Sequence, residues 1–164
     1  VTPTGAILSP CRRYRYYLQR TWDEAKPRLC WIMLNPSMAD EIANDATIRI
    51  CMGRATLEGY GGIDVVNLFA LRSTDPSALY DLFQNPISEP EQPGLNDEVI
   101  RRVALKAKDV ICAWGTHGNH LERGRIIRDR LTIWGAVPTA LKINKDGTPA
   151  HPLRIPYSTK PIPY

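Results

Sequence analysis

No apolar run in this chain approaches the roughly 18 residues that a membrane-spanning helix needs. The N-terminal residues also lack the apolar core of a secretory signal, so the expected location is cytoplasmic, with no membrane partner. None of the four cysteines, Cys11, Cys30, Cys51 and Cys112, belongs to a C-x-x-C pair. Cys30 and Cys112 sit in apolar runs, where a thiol acts as a small hydrophobe, so reduced thiols are expected rather than a disulfide framework. His117-x-x-His120 has zinc-like spacing but no second Cys or His pair to complete a site. No metal and no cofactor are expected. There is no internal repeat and no low-complexity tract.

What is present is ordinary in amount and uneven in arrangement. At 164 residues, with 43% hydrophobic and 23% charged residues, the chain reads as a single α/β domain with a substantial core. The net charge of +4 conceals three blocks. Residues 1–30 carry six Lys/Arg against two Asp/Glu, residues 31–119 carry seven against twelve, and residues 120–164 carry eight against three. Basic ends of this kind can converge on a polyanion or simply form a solvated surface, and charge alone favours the second.

Strand and helix signals alternate. Tyr14, Tyr16 and Leu18 interleave with Arg13, Arg15, Tyr17 and Gln19, which predicts a two-faced strand that pairs with Ala6-Ile7-Leu8 as a hairpin. Leu29 to Leu34 is a continuous apolar run suited to a strand buried on both faces. Asp45 is placed to cap a helix whose apolar side is Ile48, Met52, Ala55 and Leu57, ended by Gly59-Tyr60-Gly61-Gly62. Ile63 to Leu68 is a second buried strand. Asp75-Pro76 opens a short helix reaching Phe83. A Pro-rich loop, 85–94, leads to a helix over Leu95 to Lys108, with Val99, Val103 and Ala107 inward. A strand over Asp109 to Trp114, a helix over Leu121 to Trp134 and a strand over Val137 to Ile143 follow, then a Pro-rich tail without a regular element. This alternation predicts a three-layer α/β/α sandwich with a mostly parallel four-stranded central sheet and the hairpin on one edge.

Parallel strands collect ligand-binding residues at their carboxyl ends. Three polar groups follow strands here. The first is Asn35-Pro36-Ser37 with Asp40, then Asp45 and Thr47. The second is Asn67 with Arg72, Thr74 and Asp75. The third is Lys145-Asp146-Gly147 followed by His151-Pro152-Leu153. An amide, a carboxylate, an arginine and a histidine at one edge can position water, bind an anion and protonate a leaving group. Asn67 inside an apolar run needs a hydrogen-bond partner, in the core or in a ligand. Arg123, Arg125, Arg128 and Arg130 fall on one helical stretch and read as a solvated face.

The motifs Asn35-Pro36-Ser37-x-Ala39-Asp40, Asp45-x-Thr47-Ile48-Arg49, Asn67-Leu68-Phe69-Ala70-x-Arg72-x-Thr74-Asp75-Pro76, Trp114-Gly115 and Lys145-Asp146-Gly147-x-Pro149-x-His151-Pro152-Leu153 resemble a bacterial and phage family known only as domain of unknown function 1643. Their order is also similar, more distantly, to the uracil-DNA glycosylase superfamily. Those proteins carry an Asn-Pro-Gly-like loop after the first core strand and a His-Pro-Ser-like motif after the last. That likeness implies a uracil-DNA glycosylase-like fold and DNA or a nucleotide as partner. It also implies roles. Asn35 would hold the attacking water, with Pro36, Ser37 and Asp40 around the substrate, and His151 would stabilise the departing base. Asn67, Arg72 and Asp75 would contact base or phosphate, and Phe69 would stack on the base. Leu153 would fill the gap left by a flipped base, with Arg154 and Lys145 on the backbone.

The sequence departs from that pattern at named positions. Met33 and Ser37 stand where the Asn-type loop has glycines, and Leu153 stands where the last motif has serine. These changes alter the room beside the base and remove a phosphate-binding hydroxyl. Two readings therefore stand beside hydrolysis of an N-glycosidic bond. One is a non-catalytic module that binds nucleic acid or a modified base. The other is a small-molecule enzyme acting on a nucleotide.

Overall fold

A computed structural model describes residues 4–164. Among the described residues the chain is an α/β fold with a mixed seven-stranded sheet and three α-helices. In chain order the elements are β1 (Gly5–Leu8), β2 (Arg15–Thr21), β3 (Arg28–Met33), α1 (Ala46–Leu57), β4 (Gly62–Asn67), α2 (Leu95–Lys106), β5 (Asp109–Cys112), α3 (Arg123–Trp134), β6 (Pro138–Ala140) and β7 (Ile162–Pro163). The sheet order is β1-β2-β4-β3-β5-β6-β7. β3 lies parallel to β4 and β5, and β6 lies parallel to β5. β1, β2 and β7 join antiparallel at the two sides. Among the described residues, no helix is long and apolar enough to cross a membrane.

β3 explains the layout. Five of its six residues are buried, and they alternate between two cores. Trp31 and Met33 pack with Ile48, Cys51 and Ala55 of α1. Cys30 and Ile32 pack with Ile100 and Ala104 of α2 and Ile127 and Leu131 of α3. Apolar burial on both faces of a strand is what a continuous Leu-Cys-Trp-Ile-Met run encodes. Burial also raises the thiol pKa of Cys30, Cys51 and Cys112, so these sulfurs stay protonated and inert.

Several elements differ from the sequence reading. The strict alternation in β2 is broken by a bulge: Ile7 pairs with Tyr17, but Leu8 pairs with Arg15, so Tyr16 is the extra residue. Tyr14 and Tyr16 then pack together, and Leu18 joins the α1 core. The sheet-facing side of α1 is Ile48, Cys51, Arg54 and Ala55, while Leu57 is exposed. The buried face of α2 is Asn96, Ile100 and Ala104, one position on from the expected Val99 and Val103, which are partly covered. The segment 76–83 is a single 3-10 turn, Pro76–Tyr80, because Asp81 turns extended. α3 starts at Arg123 because Leu121 and Glu122 both take left-handed φ of 53°. Arg123 is no solvated-face residue: it is buried, donates to the Leu68 carbonyl and pairs with Asp97 at 2.7 Å. The last strand is only Pro138–Ala140, and the tail returns as β7 beside it.

The tail is held by one side chain. Arg54 of α1 is buried and spends its guanidinium on four backbone carbonyls: Ile155 and Pro156 at 3.0 Å, Thr159 at 3.0 Å and Tyr157 at 3.4 Å. Its charge also sits 5.4 Å from the centre of the Tyr157 ring. Burial depresses its pKa, yet charge-assisted hydrogen bonds of this kind are the strong ones. Arg54→Met keeps the apolar stem and removes the clamp. It should lower the unfolding free energy by about 2–4 kcal/mol and expose residues 155–159 to limited proteolysis. Equal denaturation midpoints and equal protease resistance would contradict this.

Candidate functional site

The carboxyl ends of β3 and β4 open onto a cavity of about 370 Å³. Asn35, Pro36 and Ser37 follow β3, and Asn67 is the last residue of β4; all four line it. So do Asp45 and Thr47 from the start of α1, Arg15 from the start of β2, Trp114 to His117 after β5, and His151 from the tail. Met33, Leu34, Ile48 and Val65 supply apolar wall.

Asn35 is fixed by its amide nitrogen. Nδ2 donates to the Ser73 carbonyl at 3.0 Å and, less closely, to those of Pro36 and Leu71. Among the described residues nothing donates to its Oδ1. The backbone locks the same corner, because Ser73 N donates to the Pro36 carbonyl at 2.9 Å. A residue held by its donors with its acceptor unspent suits the binding of water or a ligand N–H.

Asn67 is 1% exposed, and its Nδ2 has no partner. A buried unpaired amide in a cavity wall is costly unless a ligand or water completes it.

His151 is exposed as a residue, but its ring lines the cavity. Its Nδ1 accepts the Leu153 backbone N–H at 3.1 Å, so the neutral ring carries its proton on Nε2. Partial desolvation pulls its pKa below 6.5, and the negative charge of Asp45 opposes the shift. Asp45 itself is occupied: Oδ1 takes Ile48 N at 2.9 Å as the helix cap, and Oδ2 takes Ala39 N at 3.3 Å.

Trp114 reaches the lining from the other core: it is 2% exposed and packs with Ile127 and Leu131. A side chain on Gly118 would run into its indole ring, and a Cβ on Gly124 would sit 2.6 Å from Nε1. The two glycines admit the ring edge, and Tyr164 packs against it edge-on at 5.7 Å. Gly115 N donates to the Pro149 carbonyl at 2.8 Å, which draws the β5 loop and the His151 segment together.

The other residues expected at the site lie elsewhere. Arg72 lines an adjoining groove of about 480 Å³ with Arg12 and Arg13; the groove and the cavity share Ser37, Ser73 and Thr74. Arg72 donates to the carbonyls of Ser37 and Arg12 and so braces the Asn-Pro-Ser loop. Asp40 caps its own loop through the N–H groups of Ile42 and Ala43, which lower its pKa. Asp75 accepts from Ser77 N as cap of the 3-10 turn. Phe69 is fully buried, 5.8 Å from the His120 ring, and is absent from the cavity wall. Lys145, Leu153 and Arg154 are exposed and outside the lining. His117 bonds Tyr80 Oη at 2.9 Å, and His120 bonds the Leu79 carbonyl at 2.9 Å. Among the described residues no group of three or more His, Cys, Asp or Glu is placed to hold a metal.

Sequence reasoning missed Arg15 and Trp114 as cavity residues. For Arg15 the available signal was an arginine between two tyrosines of a strand. The bulge at Tyr16 decides its direction, and no sequence period announces that.

Over residues 15–153 the chain matches the family described as "Protein of unknown function (DUF1643)", and it belongs to that family. No curated protein and no solved structure matches it.

The folded His151 pKa lies below its unfolded value, so protonation favours unfolding. The stability this residue contributes is complete above pH 6.5 and is lost as pH falls through the folded pKa. Titration of the His151 ring by NMR should give a pKa below 6.5, and Asp45→Asn, which preserves a good helix cap, should lower it further. A value above 6.5, or a rise in the variant, would contradict the assigned surroundings.

Proposed function

We propose that this chain is a three-layer α/β/α sandwich of the uracil-DNA glycosylase type, with its parallel central strands feeding one cleft. In this reading it hydrolyses the N-glycosidic bond of a base, modified or not, in DNA or a nucleotide. One observation carries the reading: Asn35, Asn67 and His151, which lie far apart in sequence, wall the same cavity beside the Trp114 ring.

The roles follow from what each atom has free. The base lies against the apolar side formed by Met33, Leu34, Ile48 and Val65. The Asn67 amide pairs with its polar edge. Asn35 Oδ1 accepts one hydrogen of a water and directs the water oxygen at the anomeric carbon. As the C–N bond breaks, its electron pair leaves with the base, and the Nε2–H of neutral His151 stabilises that developing charge. Water then supplies hydroxide to the sugar carbon and a proton to the base, giving free base and a sugar hydroxyl. Asp45 is the one carboxylate in the lining, and both its oxygens are already engaged. Electrostatic stabilisation of the departing base therefore counts for more than general-base strength. The adjoining groove, with Arg12, Arg13 and Arg72, suits the phosphate next to the sugar.

The same occupied carboxylate supports a second reading, a module that binds a base or nucleic acid without turnover. Incubation with duplex and single-stranded DNA carrying uracil, hydroxymethyluracil and other modified bases, and with the corresponding nucleotides, separates the two. Hydrolysis should leave abasic sites or free base, and Asn35→Ala and His151→Gln should each slow it by about 100-fold or more while melting normally. Salt-dependent DNA affinity with no product from any substrate would favour the binding module. Absence of both DNA binding at low salt and any product would overturn both readings.

A further inference from the structure

The proposed roles leave the buried charge in the cavity wall unused. Arg15 is 2% exposed, and it lines the cavity beside Ile48, Val65 and Asn67. Its Nη1 donates to the Ala39 carbonyl at 2.8 Å. Its Nε is buried without a partner, and among the described residues none accepts from Nη2. No carboxylate among the described residues lies within 4.0 Å of it. Asp45 and Asp40 act on it only through space, and the charges of Arg72 and Arg20 oppose them. Asp45 cannot turn to meet it without giving up the α1 cap and the Ala39 N–H.

Burial lowers the Arg15 pKa to about 10, which still leaves the guanidinium charged at neutral pH. A buried, incompletely paired cation is expensive, and natural cores avoid one unless it has a partner. Asn67 Nδ2 adds a second unpaired buried donor in the same cavity wall. Met33, Leu34, Ile48 and Val65 give the cavity an apolar side, and Ser37, Thr47, Thr116 and His117 are among its polar lining. The missing partner is therefore an acceptor, it carries negative charge, and it comes attached to a body with apolar surface.

We propose that Arg15 is the specificity-determining residue of this cavity and receives an oxyanion carried on the ring of a heterocyclic ligand, with Asn67 donating beside it. The inference rests on the reading of the cleft as a base-binding site and names the substrate class: a base bearing a carboxylate or comparable anionic substituent. A ring carboxylate accepts two hydrogen bonds in one plane, which matches a guanidinium edge. The neutral carboxamide of the same ring replaces one acceptor with a donor and faces Arg15 with N–H against N–H.

The test uses the full chain and two free-base probes, 5-carboxyuracil and uracil-5-carboxamide, in titration calorimetry. The carboxylate should bind at least about ten-fold more tightly than the carboxamide. Arg15→Gln should bring the ratio close to one without weakening the carboxamide. Should that variant fail to fold, the Arg15 Nε–H resonance of the wild type decides the matter. It should shift on adding the carboxylate and stay in place with the carboxamide or with inorganic phosphate. Equal affinity for the two probes overturns the assignment. So does a folded Arg15→Gln protein that keeps the preference, or a phosphate shift as large as that of the carboxylate. Preference for the carboxylate with no hydrolysis of any N-glycoside overturns the catalytic reading and leaves the Arg15 assignment standing. Hydrolysis without the preference does the reverse.

Discussion

Buried guanidinium groups hold the loops of this protein to its sheet. Arg15, Arg20, Arg54 and Arg123 are each 3% exposed or less. Each donates to backbone carbonyls of segments far away in sequence. Arg20 takes those of Asp40 and Ala43, Arg54 those of residues 155 to 159, and Arg123 that of Leu68, immediately after β4. A carbonyl in a loop that crosses the core has no ladder partner and must find a donor. Arginine supplies five donors in a fixed fork and stays charged when buried. The loops that frame the cavity, 35–45 after β3 and 67–73 after β4, are therefore held by side-chain donors from β2 and α3. Arg15 belongs to this set by position, yet among the described residues its guanidinium has one bonded partner, the Ala39 carbonyl. Arg54 also leaves its Nε unpaired, but both of its terminal nitrogens are bonded, whereas Arg15 bonds through Nη1 alone.

The parts of the fold legible in sequence were those governed by one local rule. β3 read directly because a strand buried on both faces is a continuous apolar run, β4 read through Ile63, Val65 and Val66 despite its buried Asp64, and α1 read through its Asp45 cap. The parts that were not legible depend on tertiary partners. The register break at Tyr16 exists because β1 and β2 mispair by one residue, which leaves no trace in alternation. β7 is two residues long and bounded by prolines, so it forms only because β6 offers an edge. Arg123 looked like a solvated helix residue because the flanking arginines are; its burial follows from the Leu68 carbonyl and Asp97 arriving from elsewhere.

The same division applies to the site. Asn35, Pro36, Ser37, Asn67 and His151 share the cavity. All follow strands or loops whose ends the topology sets. Arg72, Asp40 and Asp75 have the residue types of a polar site but serve as loop braces and caps. Asp and Arg beside turns satisfy backbone groups very often. Phe69 shows the opposite error. It was the aromatic nearest in sequence to the second polar group, but position 69 turns into the core and is absent from the cavity lining.

The composition of the cavity constrains chemistry more tightly than any single residue does. Its carboxylate is committed to the α1 N-terminus, desolvation holds His151 toward its neutral form, and its unspent buried atoms include two nitrogens, on Arg15 and Asn67. Abstraction of a proton by a strong carboxylate base is poorly served by such a set. Stabilisation of charge that appears on a ligand is well served, because donors already buried and fixed need no reorganisation when the charge develops. Met33 and Ser37 fit the same logic. Met33 is buried in the α1-side core and lines the cavity, so the wall next to Asn35 is closed by a side chain where a glycine would leave room. Space lost beside Asn35 is matched by a charged donor at Arg15. On the proposed reading, a ligand that fits carries its negative charge on the Arg15 and Asn67 side, and the pocket selects by charge placement as well as by size.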